Sequence, residues 1–265
     1  MQLYGLVFII EGQQNPVPLQ NVSVESNIVD MIAETTVCQT YKNVEKDSIE
    51  AIYKFPLHEA AAVCGFEAEI DGKKKVKGIV KEAKQAAKEY SEAIEQGHGA
   101  YLVEQQLPDI FQCSVGNITA GQTIVIKITY VAELKHDAES EKVRFVFPTA
   151  IAPRYGSSDY TIANDGKKLV PDKVSYSEKT DYHLDLIITC RMTSVIQSVE
   201  SPSHHISTEL NIDGNPNVSK ITLAEQITYL EKDFILNINK SNDNRSGSME
   251  GGPIKKASEA LQLLL

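Results

Sequence analysis

Residues 49–130 decide the fold. They open with IEAIYKFPLHEAAAVCGFEAEIDGKKKVKGIVKE (Ile49–Glu82) and close with FQCSVGNITAGQTIVIKITY (Phe111–Tyr130). Phe66, Ala68 and Ile70 alternate with Glu67 and Glu69, and Ile124, Ile126, Ile128 and Tyr130 alternate with Val125, Lys127 and Thr129. Successive side chains of a strand point to opposite faces, so both runs predict half-buried strands. Asp71-Gly72 predicts a tight turn, because both residue types tolerate positive φ. Between the strands, Val80, Ala83, Ala87, Tyr90 and Ile94 recur at three- and four-residue spacing. That period predicts a helix over about 80–96, stopped at Gly97 and packed on a sheet through a narrow stripe of small residues.

Outward from this stretch the alternation continues. Residues 1–45 read as two or three strands, with Asn15–Pro18 (NPVP) as a loop, since proline lacks a backbone donor. Ile49, Ala51, Tyr53 and Phe55 share one strand face before Pro56, and residues 56–63 read as a loop. Phe111, Cys113 and Val115 point inward, and so do Val143, Phe145 and Phe147. Gly116-Asn117 and Thr119–Gln122 read as turns. Residues 156–182 are polar and turn-rich and read as a linker. A second β-rich stretch follows. There Leu184, Leu186, Ile188, Cys190 and Met192 alternate with polar positions or with Ile187, and shorter strand candidates lie at 207–212, 218–223 and 234–238.

Four blocks resemble the vault protein inter-alpha-trypsin (VIT) domain: YKFPLHEAAAVCGF (Tyr53–Phe66), VKE (Val80–Glu82), YSEAIEQGHGA (Tyr90–Ala100) and FQCSVGNITAGQ (Phe111–Gln122). The resemblance covers roughly residues 1–155. It implies a mainly β fold, an antiparallel β-sandwich carrying the packed helix at about 80–96. It also implies a non-catalytic role in protein–protein interaction, as a scaffold module. The expected organisation is a VIT domain over 1–155, a β-rich extension over 156–240 and, over 241–265, the remnant of a von Willebrand type A domain start.

That last segment reads NRSGSMEGGPIKKASEALQLLL (Asn244–Leu265). In the type A family the corresponding loop, Asp-x-Ser-x-Ser, holds Mg²⁺ through hard oxygen ligands. Here Asn244, Ser246 and Ser248 occupy those places, so the anionic ligand is replaced by an amide and the motif is degenerate. Later loops of that family also supply ligands. No cofactor is expected, and Mg²⁺-dependent ligand binding through a complete type A domain is the alternative function. Ile254, Ala257, Leu261 and Leu264 predict a C-terminal helix with one apolar face.

Composition narrows the rest. The chain has 265 residues and a net charge of −10, with a pI near 5.2. This argues against a duplex-binding footprint, which needs clustered positive charge, so no nucleic acid partner is expected. No apolar run approaches the roughly 18 residues of a membrane helix, so no membrane partner is expected, and a cytoplasmic location is the default. Four cysteines in a chain of this length do not suggest a disulfide framework.

Among reactive side chains, His58 lies six residues before Cys64, a pair that nucleophilic catalysis can use. His204-His205 sits beside Ser201 and Ser203 and would need further ligands to hold a metal. Neither pair outweighs an ordinary structural role, so no catalytic residue is assigned and the chain is not expected to be an enzyme.

Overall fold

The computed structural model describes residues 4–10, 13–58, 60–72, 74–77, 101–107, 110–136, 142–149, 151, 183–225 and 232–241. These residues form strands and turns, and no helix lies among them. The helices expected at 80–96 and at the C-terminus, the 156–182 linker and the Asn244, Ser246 and Ser248 motif all lie outside the described residues.

The strands build three sheets. The first holds β1 (Gly5–Ile10), β2 (Gln13–Pro16), β5 (Ile49–Pro56), β8 (Tyr101–Leu107) and β9 (Ile110–Ile118), in the order β2-β1-β5-β9-β8. The second is larger. It contains β3 (Leu19–Val29), β4 (Ile32–Lys42), β6 (Ala61–Ile70), β7 (Lys74–Lys77) and β10 (Thr123–Glu133). From the C-terminal region β13 (His183–Arg191), β15 (Ile206–Ile212) and β16 (Asn215–Leu223) join it, giving the order β15-β16-β13-β3-β4-β10-β6-β7. The third holds β11 (Lys135–His136), β12 (Val143–Phe147), β14 (Ile196–Glu200) and β17 (Phe234–Lys240), in the order β11-β12-β17-β14.

Alternation decides which face each strand buries. Ile124, Ile126 and Ile128 of β10 are wholly buried, while Lys127 between them is exposed. Each such isoleucine contributes about 1.5–3 kcal/mol by leaving water. One hydrophobic cluster runs through all three sheets. Aromatic rings cross the gap between the first two. Phe66 of β6 lies 5.4 Å from Phe111 and 5.9 Å from Tyr53, and Tyr130 of β10 lies 5.7 Å from Phe55.

Turn chemistry follows the sequence at the Asp71-Gly72 corner, where both φ values are positive (49° and 68°). The Asp71 carboxylate accepts the Thr123 backbone N–H at 3.0 Å, which ties this corner to the start of β10. Asp30 does similar work at the β3–β4 turn. Its Oδ1 accepts both the N–H (2.8 Å) and the hydroxyl (3.0 Å) of Thr193, just after β13.

Several expectations are corrected. Residues 1–45 form four strands, β1–β4, rather than two or three, and Asn15-Pro16 end β2 rather than lying wholly in a loop. The loop after Pro56 ends at Ala60, because β6 already begins at Ala61. Gly116-Asn117 is a bulge inside β9. Ile49 faces Ile118 and Ala51 faces Val115, so β9 carries one extra residue, absorbed where Asn117 adopts φ 54°. The sheets are not wholly antiparallel, since β13 pairs with β3 in parallel from His183↔Asn21 to Arg191↔Val29.

Candidate functional site

A pocket of about 420 Å³ opens where the three sheets meet. Its origin is a change of sheet. β10 pairs with β4 up to Glu133, opposite Ile32. Leu134 donates its N–H to the Met31 carbonyl at 2.7 Å, and the chain then enters the third sheet as β11, opposite β12. The strand leaves one partner and takes another, so β10 and β12 splay apart, and the space between them is the pocket. Leu57 and His58, from the loop after β5, close one side.

The lining is mainly apolar, with Tyr130, Leu134, Phe145, Val146 and Pro148 among it. Four charged side chains join them: Glu133, Lys135, Arg144 and Asp233. The Asp233 carboxylate accepts the Thr149 N–H at 3.1 Å, which fixes the exit of the chain from β12. His58 Nδ1 accepts the Ala60 N–H at 3.2 Å, so that nitrogen serves the loop. The geometry suits the capture of an apolar group beside a charged one.

The reactive pairs singled out in the sequence fare differently. His58 lines the pocket, but Cys64 is not among its lining residues. Cys64 sits where the β6–β10 register shifts between Gly65 and Val63, and its thiol donates to the Thr129 carbonyl at 3.5 Å. Burial, then the nearby Glu34 carboxylate, push its pKa up, away from the depressed value that a nucleophilic thiolate needs. Cys64 is therefore expected to react with iodoacetamide at pH 7.5 no faster than glutathione does. A rate more than about tenfold faster, read by mass spectrometry, would restore it as a candidate nucleophile.

His204 is held structurally. Its Nδ1 lies 2.8 Å from the Ser203 hydroxyl, its ring packs on Phe234 at 5.5 Å, and burial, followed by Lys232, lowers its pKa. The Ser203 hydroxyl in turn accepts the Ile235 N–H at 2.8 Å. Among the described residues no three His, Cys, Asp or Glu side chains gather as metal ligands, so His204 and His205 gain no further ligand there.

Sequence reasoning did not find the pocket, nor a buried polar link that runs from β5 through β4 to residue 151. Tyr53 donates to Gln39 Oε1 at 2.6 Å, and Gln39 Nε2 donates to the Ile151 carbonyl at 3.1 Å. Burial raises the pKa of Tyr53 and of Tyr130 above their ordinary 10.0, and pushes the Cys190 thiol up from 9.0 to about 12. All three are neutral when folded. Their stabilising contribution is complete below the unfolded values and is lost as pH rises towards the folded ones. Unfolding free energy is therefore expected to hold steady to about pH 9 and then fall, by about 1.4 kcal/mol per pH unit for each group past its unfolded pKa. Urea titrations at pH 8.5, 9.5 and 10.5 check this, and a flat profile would contradict it.

Residues 19–130 match the model of the vault protein inter-alpha-trypsin domain. The chain carries a VIT domain. The match begins at the first residue of β3 and ends at Tyr130, inside the pocket, so the matched segment supplies Pro56, Leu57, His58, Ala61 and Tyr130 and residues beyond it supply the rest of the lining.

Among relatives, the chain is 40% identical to human protein mono-ADP-ribosyltransferase PARP4 over 197 residues, which is 74% of this chain and 11% of that protein. It is 37% identical to human von Willebrand factor A domain-containing protein 5A over 193 residues, which is 71% of this chain and 24% of that protein. The VIT-containing chain thus spans about a tenth of the one and about a quarter of the other. Among solved structures, an M1 zinc metallopeptidase from Deinococcus radiodurans aligns with 84% of this chain and 42% of its own, at 10% identity and a TM-score of 0.40, a likeness too distant to assign a shared site.

Proposed function

We propose that this chain is a non-catalytic protein-interaction module of the VIT type, a scaffold that binds a partner protein through the pocket between its three sheets. The observation that supports it is the pocket itself, an apolar concavity flanked by charged side chains. The likeness to von Willebrand factor A domain-containing relatives fits a module that works beside other domains. The four free thiols fit a reducing, cytoplasmic setting.

Val146 tests the reading, because it lines the pocket and is 43% exposed, so it tolerates a polar replacement. Proteins held by the wild-type chain in a quantitative affinity capture are expected to fall about fivefold or more with Val146→Glu, since a carboxylate placed in an apolar contact must be desolvated. An identical captured set for both chains would reject the pocket as the binding site.

A further inference from the structure

The partner's chemistry can be read from two features that the pocket combines. The first is an open sheet edge. β11 covers β12 only opposite Val143 and Arg144. Past that point Phe145, Val146 and Phe147 pair with β17 on one side, and on the other they face no strand among the described residues. Phe145 and Val146 line the pocket, so this unpaired edge borders it. An open edge presents backbone donors and acceptors ready for another strand, and proteins usually blunt such edges.

The second feature is a pair of cations. Lys135 and Arg144 are direct cross-strand partners and both are exposed. Like charges directly opposite each other on an antiparallel pair destabilise it. Among the described residues no carboxylate lies within ion-pair distance of either side chain. Two acids also line the pocket, but neither sits within ion-pair distance of the two cations. Asp233 accepts the Thr149 N–H, and Glu133 makes no ion pair among the described residues. An incoming anion would remove the repulsion that the fold leaves in place.

The geometry points to an extended acidic peptide of a partner protein as the occupant. The peptide adds as a short strand to the open edge of β12, in line with β11. It places one bulky apolar side chain in the pocket and a carboxylate against Lys135 and Arg144. Backbone bonds and the pocket supply affinity, and the cations supply selection and fix the register. This inference rests on the protein-interaction reading above and specifies the partner for it.

The test is selection of a displayed library of random octapeptides on the full chain, followed by fluorescence polarisation with a synthetic copy of the enriched peptide. Enrichment of a bulky apolar residue with Asp or Glu within two positions is expected. Lys135→Glu/Arg144→Glu is expected to weaken binding about tenfold or more, with Arg144→Gln in between. Methylation of alternate peptide N–H groups is expected to abolish binding on one of the two alternations, because only one set faces the edge. Both cations are exposed, so the charge reversals leave the core untouched, which an unchanged melting temperature would verify.

Enriched peptides without acids, or equal affinity for the reversed chain, would overturn the proposal. So would an absence of enriched peptides, or pairing of two copies of the chain through this edge. If peptides fail but Val146→Glu still releases captured proteins, the acidic strand is wrong and the interaction reading stands. If both fail, the interaction reading through this pocket falls as well.

Discussion

Replacing Phe66 by alanine is expected to cost about 3–5 kcal/mol, the range for deleting a buried aromatic ring. Melting temperature should drop by about 10 °C, since each kcal/mol moves a chain of this size by roughly 2–4 °C. Phe66 is 5% exposed, on β6 of the large sheet, and its ring meets Phe111 and Tyr53 of the first sheet at 5.4 and 5.9 Å. The substitution therefore leaves a cavity between two sheets rather than within one. The surroundings can refill it only if the sheets approach, and the aromatic contact between Tyr130 and Phe55 resists that. Phe66→Leu keeps most of the volume and should cost less than half as much. Thermal unfolding of the three proteins decides the matter. A loss below about 1 kcal/mol for Phe66→Ala would mean that the sheets close freely and that the ring cluster is not what spaces them.

How much of this was legible beforehand depends on what period-two patterning encodes. It encodes which face of a strand is wet, and there the reading was sound. Ile124, Ile126 and Ile128, and likewise Val143, Phe145 and Phe147, are buried on the expected side. It does not encode which strand lies next door. The parallel pairing of β13 with β3 joins residues more than 150 positions apart, and nothing in the alternation of Leu184 to Met192 names Val22 or Val24 as neighbours.

The start of β6 was hidden for a different reason. Ala61 and Ala62 have low strand propensity, yet they are paired with Ala132 and Val131 of β10, where tertiary contact decides. The pocket was hidden because the alternation of Tyr130, Ala132 and Leu134 continues unbroken through the point where the chain changes sheets. A strand that swaps partners keeps its inward face, so its sequence carries no mark of the swap. Lys135 and Arg144 likewise read as ordinary solvated charges until their register shows them opposite each other.

Gln39 did leave a signal in the sequence, and it carries the second large expected effect. Thr35, Val37, Gln39 and Tyr41 share the inward phase of β4, and Gln39 is wholly buried between Val22 and Ile126. A long polar side chain in that position must find partners or cost stability. Its two partners also fix its orientation. The Ile151 carbonyl can only accept, so the amide nitrogen faces it, and Tyr53 then donates to the remaining oxygen.

Gln39→Leu removes both bonds and leaves a phenol and a carbonyl buried without partners, each costing about 1–3 kcal/mol. A total near 3 kcal/mol is expected, although leucine is the more apolar residue. Tyr53→Phe removes one bond and leaves the amide oxygen unsatisfied, for a smaller loss. The double variant Gln39→Leu/Tyr53→Phe should be more stable than Gln39→Leu alone, because the orphaned hydroxyl is gone and only the Ile151 carbonyl still lacks its donor. Denaturant titration of the four proteins measures this coupling directly. If the two single losses simply add, the 2.6 Å bond contributes nothing. The burial of Gln39 would then rest on its bond to the Ile151 carbonyl and on packing alone.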